Sequence, residues 1–133
     1  MNLEHLVTDT FHQALRCRDT GVLLNKWLPA TSNLTYDMFR AAVLQMAAIS
    51  KEQGATKVLV DGTDFHMGRP PSEFWAWRAE HIAPLYNESV VKFAYVWPEG
   101  TPAPPNNGEV SAPDTFPTTH FTSAKAAMGW LIE

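Results

Sequence analysis

The chain is poor in cysteine: among its 133 residues only Cys17 carries a thiol. A lone cysteine cannot form a disulfide within the chain, so the fold needs no oxidising compartment and a cytoplasmic location is predicted. The N-terminus lacks the basic segment and apolar run of a signal peptide, and no stretch reaches the about 20 apolar residues of a membrane helix. We therefore expect neither a secretion signal nor a membrane span.

Charged residues are scarce as well, at 18% of the chain, and the ten lysines and arginines are scattered rather than clustered. The net charge is -4. Because nucleic-acid binding depends on clustered cations that neutralise phosphates, we expect no nucleic-acid partner. A surface with so few charges is instead expected to carry a neutral or apolar patch, which is typical of a contact site.

Sequence motifs of metal binding and catalysis are missing. The chain has no Cys-x-x-Cys, His-Glu-x-x-His or Gly-x-Ser-x-Gly sequence and no Gly-rich phosphate loop. Asp64 and His66 lie two residues apart, which matches no recognised zinc spacing. Thr63 with His66 is the conceivable pair of nucleophile and base. We expect no metal, no cofactor and no enzymatic activity.

The residues that are present predict a single α/β domain over 1–133. Hydrophobic residues make up 45% of the chain, enough for one buried core. Alternating apolar residues over 11–17, a Gly-containing turn and a second apolar run over 22–28 predict an N-terminal β-hairpin. Residues 1–9, which lack a clear period, are predicted to be an irregular lead-in.

Helical and extended patterns alternate through the rest of the chain. Thr35 can cap a helix that Gly54 ends, and apolar residues recur between them at helical spacing. The later elements are predicted as a strand at 56–60, a helix after Pro70-Pro71 that Pro84 bends or ends, a strand at 90–97, a strand at 118–121 and a last helix capped by Ser123.

This order predicts a five-stranded, mostly parallel mixed sheet with helices on its faces and an N-terminal β-hairpin, because strands separated by helices require crossover connections. Residues 98–117 contain six prolines and are predicted to form an irregular surface loop. The residues predicted to be buried are Phe39, Val43, Met46, Val58, Val60, Phe93, Val96 and Trp130.

Several motifs follow one another in an order that resembles a known family. They are Trp27 at a strand end, Leu34-Thr35 at a helix start, Leu59-Val60-Asp61 at a strand end, Trp77 and Pro84 in the second helix, and Phe121, Ser123, Ala127, Trp130 and Leu131 at the end of the chain. This order resembles the STAS-like (SpoIIAA-like) family of small bacterial domains, whose fold is related to the CRAL-TRIO lipid-binding domain. The resemblance implies a regulatory or binding role. The phosphorylated Ser of anti-sigma-factor antagonists has no counterpart in the segment 64–71.

A candidate ligand site lies at the carboxyl ends of the predicted parallel strands, where open α/β sheets bind ligands. Polar and aromatic side chains that this edge brings together are Trp27, Asp61, Thr63, Asp64, His66 and Trp97, with Glu99 beyond them. Together they could line a pocket. In the alternative interpretation Asp61 bonds the amides of its own turn, His66 is solvated and the tryptophans belong to the core.

A candidate interface lies on the second helix, where Phe74, Trp75 and Trp77 are close in sequence. Neighbouring helical residues point about 100° apart, so these rings cannot share one face. We expect one of them to protrude and to mediate a homodimer, unless residues 98–117 cover it. The sequence thus favours a non-catalytic module that binds a protein or a small apolar ligand. Two other hypotheses remain open, a switch of the anti-sigma-factor-antagonist type and a small enzyme acting at the strand ends.

Overall fold

One sheet of seven strands carries the fold in the computed structural model, which describes residues 2–101 and 108–133. The strands are β1 (Leu3–Thr8), β2 (His12–Cys17), β3 (Leu23–Trp27), β4 (Lys57–Asp61), β5 (Lys92–Val96), β6 (Glu109–Val110) and β7 (Pro117–Phe121). Their order across the sheet is β1-β2-β3-β4-β5-β7-β6. The central strands β3, β4, β5 and β7 are parallel, and antiparallel pairs flank them on both sides.

The predicted α/β class, mixed sheet and N-terminal hairpin are confirmed, but the predicted number of five strands is wrong. The first additional strand is β1, within the segment that was predicted to be an irregular lead-in. The Asp9 carboxylate accepts hydrogen bonds from the backbone N–H groups of Phe11 and His12, both at 2.8 Å, and so closes the turn that pairs β1 with β2. An Asp at a turn is a local signal, whereas the pairing itself depends on β2.

The second additional strand, β6, lies inside the segment 98–117, whose residues 102–107 fall outside the described part of the chain. Gly108 N–H donates to Thr118 O at 2.7 Å, and β6 then pairs with β7. Phe116 is buried with 1% of its surface exposed. The described part of this segment is therefore only partly the irregular surface loop that the prolines predict.

The first helix, α1 (Tyr36–Gln53), begins and ends where the sequence predicts. Its N-cap Thr35 accepts a hydrogen bond from Met38 N–H at 3.2 Å. Gly54 ends it with a left-handed conformation at φ 60°, which a residue with a side chain rarely adopts. A 3₁₀ turn at Pro29–Asn33 leads into this helix.

The remaining helices are short. The second helix, α2 (Glu73–His81), stops just before Pro84, and one further turn, α3 (Ala83–Tyr86), follows it. The last helix, α4 (Ala124–Leu131), is capped by Ser123, which accepts from Ala126 N–H at 3.3 Å. Within the described ranges, no helix combines the length and the apolar character needed to cross a bilayer.

Helices cover the sheet on both faces and divide the core into two layers. The larger layer lies under α1, α2 and α3, and the smaller lies under α4, which contacts β4, β5 and β7. All of the residues predicted to be buried are buried except Val43 and Trp130, which are half-buried. In α4 the fully buried anchor is instead Leu131, whereas the Trp130 ring packs on Phe121 at 6.1 Å and on Lys92 at 4.8 Å.

This arrangement predicts that Leu131, and not the larger Trp130, fixes the last helix. We expect Leu131→Ala to lower the free energy of unfolding by about 2 to 5 kcal/mol, and Trp130→Ala by about 1 to 2 kcal/mol because its ring is partly solvated already. Chemical denaturation of both variants measures the two losses. A larger loss for Trp130→Ala would contradict the described packing of α4.

Candidate functional site

The carboxyl ends of β3, β4 and β5 place Trp27, Asp61 and Trp97 along one edge of the sheet, as the sequence predicts. The loop after β4 adds Thr63, Asp64 and His66 to the same edge. We call this edge the strand-end rim. Sharing an edge does not make these side chains one site, because Asp61, Thr63 and Trp97 already have hydrogen-bond partners inside the protein.

Asp61 is buried and its carboxylate closes the turn that follows β4. Its Oδ1 accepts from Thr63 N–H at 3.0 Å and from the Thr63 hydroxyl at 2.6 Å. Gly62 N–H donates to Val96 O at 2.8 Å, which fastens this turn to β5. Asp61 and Thr63 therefore serve the backbone turn, as the alternative interpretation of Asp61 holds.

A buried threonine that sequence reasoning missed holds the rest of the loop. The Thr31 hydroxyl donates to Asp64 O at 3.2 Å and accepts from His66 N–H at 2.8 Å. It ties the 3₁₀ turn to the loop, 33 residues further along the chain. No local pattern distinguishes Thr31 from a surface threonine. The side chains of Asp64 and His66 form no hydrogen bond or ion pair with any described residue; Asp64 is half-buried and His66 exposed.

The aromatic residues of the rim fall into two groups. Trp27 is 5% exposed, stacks on Phe39 of α1 at 5.6 Å and meets Phe65 at 5.0 Å. Phe74 of α2 joins Phe39 at 5.0 Å. The rings of Trp27, Phe39, Phe65, Phe74, Trp75 and Trp77 are linked in this way and form what we call the Trp27 cluster.

Trp97 belongs to the second group, on β5 and β7. Its indole Nε1–H donates to His120 Nδ1 at 2.9 Å, and the His120 ring lies parallel to Tyr95 at 5.6 Å. Since Nδ1 accepts this bond, the proton of the neutral imidazole is on Nε2. Burial lowers the pKa of His120, which favours this neutral form. The contact explains Trp97 as a residue that joins two strands.

The candidate interface residues of α2 have three different environments. Phe74 is 5% exposed and belongs to the core, so its ring is not available to a partner. Trp77 is half-buried between Phe74 at 5.9 Å and Arg40, whose guanidinium lies 5.9 Å from the indole. Trp75 is 58% exposed and touches the cluster only through Phe74, at 5.2 Å. Trp75 is therefore the protruding aromatic residue that helix geometry requires.

A buried ion pair on the other side of α2 was also missed by sequence reasoning. Arg78 donates two hydrogen bonds to the Asp114 carboxylate, at 3.1 and 3.3 Å, and both side chains are nearly buried. Burial alone would lower the pKa of Arg78, but Tyr95 and Asp114 nearby raise it above its ordinary value. The pair fastens the segment before β7 onto α2, across 36 residues of sequence.

His12 is a further titratable residue inside the core. Its ring is fully buried beside Trp27 at 6.1 Å, and the Asp9 carboxylate lies 3.0 Å from Nδ1 in a direction that forms no regular hydrogen bond. The side chain of Asn25, two residues before Trp27 on the neighbouring strand, is also fully buried and has no partner among the described residues. Burial lowers the pKa of His12, and Asp9 offsets part of that shift.

Two concavities are lined by residues other than those of the strand-end rim. A groove of about 600 Å³ runs between α1 and the turn at residues 9–11. A smaller one of about 150 Å³ lies near the end of α1. Neither is lined by a residue of the predicted ligand site. Within residues 2–101 and 108–133, no three His, Cys, Asp or Glu side chains are grouped closely enough to hold a metal ion.

No protein-family model, curated protein or solved structure matches the chain. The STAS-like resemblance therefore stays a prediction, and the function must be argued from the geometry described above.

The turn at Gly62 predicts a pair of opposite effects for two Gly→Ala substitutions. A Cβ at residue 62 would lie 2.7 Å from the Val96 carbonyl oxygen, so we expect Gly62→Ala to lower the free energy of unfolding by about 1 to 3 kcal/mol. A Cβ at Gly129, inside α4, would meet nothing within 4 Å. Gly129→Ala is expected to raise the free energy of unfolding by up to about 1 kcal/mol. Thermal denaturation of both variants provides the comparison, and a neutral Gly62→Ala would refute the close approach.

The buried imidazole of His12 predicts a loss of stability in mild acid. Its pKa is lower in the folded chain than the ordinary 6.5, so the unfolded chain binds more protons. The free energy of unfolding is then highest above pH 6.5 and falls as the pH drops through 6.5 towards the lowered value. His120 acts in the same direction.

Urea denaturation between pH 8 and pH 5 measures this slope. We expect His12→Phe, whose ring can still pack on Trp27, to reduce the slope without abolishing it, since His120 remains. If the free energy of unfolding changes equally with pH in the wild type and in His12→Phe, His12 is not the cause of the loss of stability in acid.

Proposed function

We propose that the protein is a non-catalytic interaction module whose contact surface is centred on Trp75. The observation that carries this proposal is the exposure of Trp75, at 58%, beside a Phe74 ring that is almost completely buried. Phe74 is held in turn by Phe39 of the Trp27 cluster. The indole is thus presented by a rigid base, which lowers the conformational entropy that binding would cost.

The surroundings of Trp75 also support a contact role. The chain from Pro70 to Ala76 contains one charged residue, Glu73, and two exposed or half-exposed prolines. Large aromatic side chains on a surface of low charge are enriched where proteins meet one another. The described part of the segment 98–117 does not cover this surface, because it meets α2 through the Asp114–Arg78 pair while Trp75 stays exposed.

We propose a second copy of the chain as the partner. Two-fold dimers are the commonest homo-oligomers, and at a two-fold axis one surface meets its own copy. The buried, single Cys17 is in keeping with assembly in a reducing cytoplasm. The order of motifs noted above supports a relationship to STAS-like domains, which would make this a small regulatory or binding domain of that kind.

The strand-end rim supports a structural rather than a catalytic role for its polar groups. The Thr63 hydroxyl donates to the Asp61 carboxylate and not to His66, so the conceivable Thr63–His66 pair of nucleophile and base is not formed. Trp97 is bonded to His120. A small apolar ligand would find Trp27 already packed in the core. These contacts favour a protein partner over a ligand or substrate.

Sedimentation at micromolar concentration tests the proposal. We expect the wild type to sediment as an assembly of at least two 14.8-kDa chains. Trp75→Glu places a charge in the contact, so it should reduce the sedimenting mass while the melting temperature stays within a few degrees. Val91→Glu is the matched control, because Val91 is similarly exposed, at 55%, just before β5.

A wild-type monomer, or equal masses for the Trp75→Glu and wild-type chains, would contradict the proposal. Stoichiometric phosphorylation of Ser72 or Thr63 by a partner kinase would instead favour the anti-sigma-factor-antagonist type of switch.

A further inference from the structure

The solvent-facing side of α1 carries no charge along its middle. Arg40 and Lys51 are the charged residues nearest to the centre of this helix, and none of the ten residues between them is charged. Helices that face water in a monomer normally place charged side chains there. The exposed residues of this face are Met38, Ala41, Leu44, Gln45 and Ala48, and two of them are large and apolar, with Met38 38% and Leu44 43% exposed. We call this set the outer α1 face.

The outer α1 face also forms one wall of the 600 Å³ groove. The turn at Asp9, Thr10 and Phe11 forms the opposite wall. All of the residues of the outer α1 face line this groove. A long apolar depression beside a helix is the shape into which the ridge of another helix packs.

The spacing of residues along the outer α1 face is also that of a helix that packs against another helix. Met38, Ala41, Gln45 and Ala48 follow one another at intervals of three, four and three residues, as do the a and d positions of paired helices. Two of these four residues are alanines, which allow two helix axes to approach closely. The pattern therefore indicates a helix as the occupant of the groove.

Two charged residues on one flank of α1 favour a second, antiparallel copy of this helix as the occupant. Asp37 and Lys51 are 14 residues apart, so they lie on the same flank of the helix and about 21 Å from each other. When two copies of α1 pack antiparallel about an axis near Leu44 and Gln45, Asp37 lies beside Lys51 of the partner subunit. A parallel arrangement would place like charges together. Within the chain Asp37 pairs with the half-buried Arg40 and Lys51 with the exposed Glu88, and Glu52 lies on the opposite flank from Lys51.

We propose that the outer α1 face is a second self-association surface, at which α1 of one copy packs antiparallel against α1 of another across a two-fold axis. Ala41 lies opposite Ala48 of the partner subunit, and oppositely charged residues close both ends. This surface is separate from Trp75 on α2 and does not depend on the function proposed above. If both surfaces are used, the chain forms an assembly larger than a dimer.

A charge-swap series tests this surface in the Trp75→Glu background, which removes the other contact. At low salt we expect Asp37→Lys or Lys51→Asp alone to weaken self-association about tenfold, because each places like charges opposite one another. The double variant should restore it to within about threefold of its parent. The intrachain pairs with Arg40 and Glu88 are not restored by the swap, so recovery reports contact between copies.

Two cysteine variants test the antiparallel direction. Mixing Ala41→Cys chains with Ala48→Cys chains under mild oxidation should give mainly the mixed disulfide, whereas disulfides between identical chains should prevail if the helices are parallel. Cys17 does not compete, since it is 1% exposed. Val91→Cys, exposed in a different region, is the control for random collision and should give little dimer.

If the Trp75→Glu chain stays monomeric at about 100 micromolar, where a weak dimer would still form, the proposal is overturned. The groove would then be available to another protein. Failure of the double swap to restore association would overturn the proposal as well. Neither result bears on Trp75, whose contribution is measured by comparing the Trp75→Glu and wild-type chains.

Discussion

The stacking of Trp27 on Phe39 is the contact on which the rest of the molecule depends. It joins the end of β3 to α1, and the other rings of the Trp27 cluster attach to it in turn. Phe65 brings in the loop after β4, and Phe74 brings in α2. Because α2 has only nine residues, it cannot form a stable helix without such packing. The burial of Phe74 also decides, through the 100° step of the helix, that Trp75 points towards solvent.

The polar groups at the strand ends serve mainly to hold loops in place. Asp61 closes a turn, Thr31 bridges two loops, and the Trp97–His120 bond joins β5 to β7. Each of these groups uses part of its hydrogen-bonding capacity inside the protein, so less of it remains for a ligand. By contrast, His12 and Asn25 are buried without full satisfaction, and such groups reduce stability rather than create a site.

We therefore assign the proposed recognition to the helices that cover the sheet. The aromatic surface at Trp75 and the neutral face of α1 are physically different: the first is one rigid indole, and the second is a groove along an uncharged helix face. They lie on different helices of the same sheet face. Both follow from the low charge content of the chain, because a surface with few charged residues cannot keep every helix face strongly solvated.

The sequence by itself determined the features that depend on neighbouring residues. Thr35 and Ser123 cap the starts of their helices, Gly54 ends α1, and Pro84 lies in the first turn of α3 and keeps α2 from continuing, because each acts on backbone groups within one helical turn. The alternation of strands and helices determined the α/β class in the same way. Only the tertiary structure decided the pairing of β1 with β2, the pairing of β6 with β7, and the Arg78–Asp114 pair. It also decided that Leu131 rather than Trp130 is buried. A strand or a buried ion pair needs a partner, and a side chain is buried only by what packs over it, so contacts between distant parts of the chain settle these outcomes and no local pattern records them.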